Sequence, residues 1–337
     1  MRIVLDAMGS DQHPQPEIEA AIELTREFGP GLLLVGDQPR LQEGIGNRAP
    51  GLEIVHAPEV FSMGEHVSAP GVLRRAQNSM GVGIDLVKAG KADAFVSAGN
   101  TGGVMGIALA RLGRLRGLKR PALTVLFPVQ GGRCVALDVG ANAECKPEYL
   151  LQFALMGSAY AEKVLGINNP RVGLLANGEE EGKGNELVRA TYPLIAASGL
   201  NFIGNIEGKE IFGGKVDVVV TDGFTGNVLM KGSEALAKFI SDRLREELMS
   251  SWRTKAGALL AKPAFAELRK DLDPREVGAI ILLGLNGLVY VAHGRSDAQS
   301  LVSAVKAARR SVEVGLLESV RAAIEYGLSQ LPVETAD

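Results

Sequence analysis

The sequence predicts a three-layer α/β/α fold, with helices packed on both faces of a mostly parallel sheet. Three observations lead there. Short runs rich in Val, Ile and Leu alternate with helical stretches along all 337 residues. Those runs are apolar at successive positions rather than at every second one, which a sheet covered on both faces requires. Glycines follow the runs again and again, at Met8-Gly9, Ala98-Gly99, Val139-Gly140, Asn177-Gly178, Asp222-Gly223 and His293-Gly294. In open α/β sheets the carboxyl ends of strands face the ligand crevice, and glycine there lets backbone N–H groups approach a ligand.

The elements follow in order. Strands are predicted at 2–8, 31–36, 52–56, 93–97, 122–129, 134–139, 171–175, 201–205, 216–221 and 288–292. Pro16 opens a helix that runs to Phe28 and stops at Gly29-Pro30. A short helix is expected over 104–112. Another covers 146–165, with Pro147 in its first turn and Gly166 beyond its end. A further helix follows Thr225 and runs to about Met249. The last starts near Ser296-Asp297 and reaches Tyr326-Gly327, with a break expected at Gly315. No repeat or Pro/Ser-rich linker divides the chain. We therefore expect one unit over 1–337, made of two interleaved lobes, with an amphipathic segment near 252–275.

Composition excludes several classes. The 36 basic and 39 acidic residues leave a formal charge of −3, so no overall basic field exists to neutralise nucleic-acid phosphates. Cys134 and Cys145 are too few for a disulfide framework or a cysteine-rich zinc centre. Neither has a histidine beside it in sequence, which argues against a catalytic thiolate. No run reaches the roughly 18 apolar residues of a membrane span. The nearest, 279–292, carries Asn286. The opening Met1-Arg2-Ile3-Val4-Leu5 meets Asp6 at once and does not read as a targeting segment. The expectation is a soluble, cytoplasmic protein.

Several motifs carry chemistry. Residues 178–184, Gly-Glu-Glu-Glu-Gly-Lys-Gly, fail as a phosphate-binding P-loop: the glycine spacing is one residue short, and Gly184 stands where Ser or Thr would hold Mg²⁺. The segment is either a solvated acidic turn or a loop whose Lys183 presents charge to an anion. Ser97-Ala98-Gly99-Asn100-Thr101-Gly102-Gly103 links a strand to a helix, where N–H groups, a hydroxyl and an amide can converge on an anion. It is neither a dinucleotide fingerprint nor a nucleophile elbow. Asp222-Gly223-Phe224-Thr225-Gly226-Asn227 repeats that arrangement, and Lys231 falls one helical turn past Asn227. Asp6 through Asp11 and Asp138 through Asn142 put carboxylates and an amide at strand ends, where helix capping and loop tying are the ordinary roles. His293 ends the most apolar strand and is a better candidate than His13, His56 or His66. The stretch 257–272 has Leu260, Ala264, Leu268 and Leu272 at helical spacing, which suits core packing, a dimer contact or a lipid surface.

Taken in order, Leu5-Asp6-Ala7-Met8-Gly9, Ser97 to Gly102, Asp138-Val139-Gly140-Ala141-Asn142, Asn201 to Gly208, Asp222 to Asn227 and Gly284-Leu285-Asn286-Gly287 make the whole chain resemble the bacterial phosphate acyltransferases of phospholipid synthesis, the acyl-carrier-protein:phosphate transacylases. Ser10 and Gln12-His13 depart from that family's usual opening. The resemblance implies a fold similar to phosphate acetyltransferase and isocitrate dehydrogenase, and a homodimer. It implies transfer of a fatty acyl group from acyl-carrier protein to inorganic phosphate, giving acyl phosphate for a downstream membrane glycerol-3-phosphate acyltransferase. It also implies peripheral contact with anionic membrane. No cofactor, metal or nucleic acid is expected.

On this reading Lys183 and Asp222 are the catalytic candidates. Asn100, Thr101, Asn142, Thr225, Asn227, Lys231 and His293 are candidates to bind phosphate or substrate. Phosphate is itself the nucleophile and the thioester is already activated, so positioning and oxyanion stabilisation suffice. Rival readings are a short-chain acyl-coenzyme A phosphotransacylase, a nucleotide-linked dehydrogenase and a non-catalytic lipid-surface protein. A basic patch should dock an acidic carrier, with 74–75, 111–120 and 309–310 as candidates.

Overall fold

The computed structural model describes residues 1–61, 77–265 and 279–329. Strand β1 (Ile3–Asp6) shows why the chain builds three layers. Its side chains alternate between faces, and both faces are apolar. Ile3 and Leu5 join one core with Ile18, Leu24 and Leu34. Val4 joins the other with Leu33, Val35 and Phe95. None of these nine is more than 2% exposed.

The N-terminal half follows from short-range signals. Pro16 lies in the first turn of α1 (Gln15–Phe28), and Gly29 ends it. β2 (Leu32–Gly36), α2 (Gln38–Ile45), β3 (Glu53–His56), α3 (Ser79–Lys88), β4 (Ala94–Ser97) and α4 (Thr101–Leu112) follow. Helix α4 begins three residues before the predicted 104, because Asn100 accepts the N–H of Gly103 at 2.9 Å and caps the earlier turn. β5 (Ala122–Val129) and β6 (Gly132–Leu137) form a hairpin.

In the second half, α5 (Pro147–Tyr160) ends in a π-turn over Ala161–Leu165 and stops at Gly166. β7 (Val172–Leu175), α6 (Glu186–Ala196), β8 (Phe202–Ile206), α7 (Gly208–Phe212) and β9 (Val218–Val220) come next. Then α8 (Gly223–Met249) runs for 27 residues, about 40 Å at the helical rise. It starts at Gly223 rather than after Thr225, because Asp222 accepts the N–H of Thr225 at 2.9 Å. α9 (Trp252–Leu260) follows it. The apolar run 279–292 is not one element. Gly284, at φ +96°, breaks it into β10 (Ile280–Leu283) and β11 (Leu288–Val291). Gly315, at φ +67°, breaks the last helical stretch into α10 (Ala298–Glu313) and α11 (Leu316–Ser329).

All the strands among the described residues enter one sheet, in the order β3-β2-β1-β4-β11-β10-β5-β6-β9-β7-β8. Helices α1, α5, α10 and α11 bury their apolar faces in one core, and α3, α4 and α7 in the other. Two flanks of the sheet are parallel, as expected. Between them lie three antiparallel pairings, β11–β10, β10–β5 and β5–β6. An odd number of reversals means that the strands of the two flanks run in opposite directions. The carboxyl ends of β1, β4 and β11 therefore leave one margin of the sheet, and those of β6, β9, β7 and β8 leave the other. The expected segment near 252–275 is described only to 265, and residues 74–75 and His66 lie outside the described residues. Among the described residues, no helix is long and apolar enough to cross a membrane.

Candidate active site

The strand reversal sorts the candidate residues into two groups. The second flank collects the larger one. β6, β9 and β7 are neighbours, about 4.8 Å apart from strand to strand. Asp138 and Asn142 follow β6, Asp222 through Lys231 follow β9, and Lys183 follows β7.

Asp138 organises this group. It is fully buried. Its carboxylate accepts the N–H groups of Leu123 (2.9 Å), Gly140 (3.2 Å), Ala141 (3.1 Å) and Asn142 (2.7 Å), and the Asn142 Nδ2 (2.9 Å). Burial raises its pKa above the ordinary carboxylate value, while these donors act in the opposite direction. With its oxygens committed in this way, Asp138 is a strut for the loop 139–142. Asn142 is part of that strut: its Nδ2 also donates to the Pro121 carbonyl at 2.8 Å, and its own carbonyl accepts the N–H of Gly223 at 2.8 Å.

The start of α8 presses directly on this loop. A Cβ on Gly226 would lie 1.9 Å from the Asp138 carbonyl oxygen, and one on Gly223 would lie 2.6 Å from the Asn142 carbonyl oxygen. Only glycine allows so close an approach. Asn227 is thereby set beside Gly140, whose φ is +142°. Asp222 accepts the hydroxyl of Thr225 at 2.7 Å as well as its N–H, so its carboxylate caps the helix and the Thr225 hydroxyl is tied to that cap. Lys231 is exposed one turn beyond Asn227.

Lys183 is exposed on a loop that is held at several points. Its N–H donates to the Glu180 carbonyl at 2.9 Å, and Gly184 N–H donates to Asn177 Oδ1 at 2.9 Å. Asn205, buried at the end of β8, donates its Nδ2 to the Glu180 carbonyl at 2.8 Å. Lys209 pairs with Glu179 at 2.9 Å and Glu207 at 2.8 Å, tying the same loop to the start of α7. The acidic turn and the presented lysine are thus one object. The carboxylates of Glu179, Glu207 and Glu210 cluster closely, and the Lys209 ammonium occupies that cluster.

Asn100, Thr101 and His293 belong to the other margin, after β4 and β11. There the fully buried Asp6 accepts the Met8 N–H at 3.0 Å and the Ser97 hydroxyl at 2.7 Å. Burial raises the Asp6 pKa. Asn100 Oδ1 is used to cap α4. His293 Nδ1 accepts the N–H of Arg295 at 3.2 Å. The two cradles that look alike in sequence therefore sit on strands of opposite direction.

Both cysteines are held protonated. Burial pushes Cys134 and Cys145 up to about 12, which agrees with the absence of thiolate chemistry in the reading above. Several residues with clear structural work escaped sequence reasoning. Asn205 and Asn286 stand inside quoted motifs, and that was their only signal. Gln152 and Glu17 gave none.

Helices on both faces of a mostly parallel sheet make this an α/β protein, and comparison with known proteins gives its class. The family model described as "Fatty acid synthesis protein" matches residues 1–319. The phosphate acyltransferase of Pelotomaculum thermopropionicum is 46% identical over 96% of this chain and 95% of its own length. That of Thermus thermophilus is 47% identical over 95% of this chain and 98% of its own. A phosphotransacetylase from Streptococcus pyogenes shares the fold at a TM-score of 0.59 and 17% identity, covering 96% of this chain and 94% of that one. The chain belongs to the bacterial phosphate acyltransferase family, and it is an acyltransferase.

Proposed function

We propose that the protein transfers a fatty acyl group from acyl-carrier protein to inorganic phosphate, and that the second-flank margin is where it does so. The observation that supports this is the placement of Lys183, Asn227 and Lys231 on segments that follow the neighbouring strands β7 and β9 at one margin of the sheet, with a glycine-lined helix start between them and the Asp138 loop. Inorganic phosphate is a dianion that needs cations and N–H donors rather than a base. Lys183 and Lys231 supply charge, and Asn227 with the first turn of α8 supplies hydrogen bonds.

The reaction needs no covalent enzyme intermediate. A phosphate oxygen attacks the thioester carbonyl, and the new C–O bond gives a tetrahedral oxyanion. Its collapse breaks the C–S bond, and the proton of phosphate leaves with the carrier thiol. Lys183 stabilises the oxyanion or the phosphate as charge develops. One such donor is worth roughly 10²–10³ in turnover. Phe224 and Val228, 66% and 57% exposed and one turn apart, offer an apolar strip beside Asn227 for the acyl chain.

The remaining features suit the same role. Leu236, Phe239 and Ile240 of α8 are 58%, 61% and 55% exposed at helical spacing, a stripe that a second copy would cover in a homodimer. Trp252, Leu259 and Leu260 of α9 are 75%, 71% and 85% exposed, which suits peripheral contact with an anionic membrane. There the acyl phosphate would be handed to a membrane glycerol-3-phosphate acyltransferase.

The test mixes purified protein with palmitoyl-carrier protein and inorganic phosphate, and traps acyl phosphate with hydroxylamine. Phosphate-dependent product is expected, and Lys183→Ala should lower turnover about 10²-fold or more with the fold intact. Near-normal turnover in that variant removes Lys183 from the mechanism. Absence of product from carrier-bound and coenzyme A thioesters alike sinks the reading.

A further inference from the structure

We propose that the loop over residues 113–121 is the docking surface for the acidic protein that presents the acyl thioester. This rests on the transacylase reading above and adds to it the place where the donor binds. The loop reads Gly-Arg-Leu-Arg-Gly-Leu-Lys-Arg-Pro, with four cations and no acid, in a chain whose net charge is −3. Arg114, Arg116, Lys119 and Arg120 are exposed. Among the described residues none of the four is ion-paired with a carboxylate. Cations left unpaired on a surface are available to a partner of opposite sign, and such complementarity speeds encounter and fixes register.

The loop is built rather than slack. Leu115 and Leu118 are 2% and 5% exposed and anchor it in the core. Leu115 N–H donates to the Gly284 carbonyl at 2.9 Å. Asn286 donates to the Arg114 carbonyl at 2.7 Å and to the Leu112 carbonyl at 3.3 Å. Gln152, 2% exposed, reaches it from α5, donating to the Gly117 carbonyl at 3.0 Å and accepting the Lys119 N–H at 2.8 Å. Arg114 donates to the Lys119 carbonyl and closes the turn. The Gly284-Leu285-Asn286-Gly287 motif, which touches none of the candidate catalytic residues, thus acts to hold this loop. A held loop presents its charges without the ordering cost that weakens binding by a mobile one.

The loop also lies at the correct margin. It leads into the amino end of β5, which is antiparallel to β6, so it meets the carboxyl end of β6. Leu123 donates to Asp138 Oδ1 at 2.9 Å, and Asn142 donates to the Pro121 carbonyl at 2.8 Å. Arg120 is the residue before Pro121. A protein seated on these cations therefore stands beside the Asp138–Asn142 loop, on which the α8 start and Asn227 rest. The other described basic pair is placed differently. Arg309, on α10, lies over the Phe28 ring at 4.1 Å and pairs with Glu313 at 2.9 Å.

The experiment uses the full chain and two donors, acyl-carrier protein and the matching acyl-coenzyme A, each with inorganic phosphate. The double variant Arg116→Glu, Lys119→Glu is compared with the unaltered protein. The KM for acyl-carrier protein should rise at least tenfold while kcat and the coenzyme A reaction stay within twofold. Added salt should raise the carrier KM of the unaltered protein more steeply than that of the variant. An unchanged carrier KM overturns the proposal. So does an equal fall with both donors, which would make the loop a prop for the site. Loss of binding to anionic vesicles with an unchanged carrier KM assigns the loop to the membrane and also overturns it. Direct titration of fluorescent carrier protein reads docking without turnover. If neither donor yields acyl phosphate, the transacylase reading fails, and the titration still decides docking: weakened binding to the variant supports it, and equal binding refutes it.

Discussion

Glu17 lies on the first turn of α1 and is fully buried. Its Oε1 accepts the Ser10 N–H at 2.9 Å, which ties α1 to the loop after β1. Its Oε2 and the Ser10 hydroxyl are both buried without a hydrogen-bond partner. Burial is the main reason its carboxyl is pushed from 4.5 to about 7, and the neighbouring Asp6 adds to the effect. The folded protein therefore holds the proton more tightly than the unfolded chain does. Stability from this group is complete below about pH 4.5 and is lost as pH rises through about 7.

The displacement of 7 from 4.5 corresponds to about 3 kcal/mol, an upper value because water can reach a partly opened loop. Glu17→Gln keeps the acceptor for Ser10 N–H and cannot ionise. Thermal unfolding of both proteins, followed by circular dichroism at pH 5 and pH 8, reads the effect. At pH 8 the variant should be the more stable by about 1–3 kcal/mol. At pH 5 the advantage should vanish or reverse, since a protonated carboxyl and an amide differ little there. Asp6→Asn serves as a control for the neighbouring carboxyl. A difference between Glu17→Gln and the unaltered protein that is the same at pH 5 and pH 8 would refute an uncharged Glu17 in the folded state.

Two further outcomes are expected. Gly226→Ala would set a methyl group 1.9 Å from the Asp138 carbonyl oxygen, so the start of α8 must move away from the loop 139–142; unfolding should show a cost of about 1–3 kcal/mol and acyl phosphate formation should collapse, whereas wild-type behaviour in both assays would show that the close approach is not needed. Asn205→Ala removes the donor to the Glu180 carbonyl, a loss of about 1 kcal/mol in stability, and should release the Lys183 loop; kcat should fall well beyond what the unfolding curve explains, Asn205→Asp should not rescue it because it lacks the N–H, and unchanged kcat would separate Asn205 from Lys183.

Much of the architecture was legible in consecutive residues. The layers follow from runs such as 32–36, which are buried at every position. Helix ends followed from Pro16, Pro147, Gly166 and Gly315, each of which acts on the backbone of its own turn. Two helix starts were placed late, at α4 and α8, because the capping residues Asn100 and Asp222 were read as ligand groups and not as the caps they also are. Within the apolar run 279–292 the sequence reading places a strand only at 288–292 and passes over β10 (Ile280–Leu283), because the run carries no break until Gly284 is seen at positive φ. Motif positions were legible, but their work was not. Asn205 and Asn286 stand inside quoted motifs with no role assigned, and in the structure they hold the loops that carry Lys183 and the basic cluster.

Consecutive residues carry the local grammar: all the strands but β10, the ends of the helices bounded by Pro16, Pro147, Gly166 and Gly315, and the chemical groups that stand at strand ends. Which of those ends belong together is settled by long-range pairing. The hydrogen bond from Asn286 to Leu112 spans 174 residues, and that from Ser97 to Asp6 spans 91. Parallel and antiparallel strands share the same apolar pattern, so direction is not encoded in any one strand. It is set by which strands lie side by side, and three antiparallel pairings in the middle of the sheet were enough to separate Asn100, Thr101 and His293 from Lys183, Asp222 and Asn227.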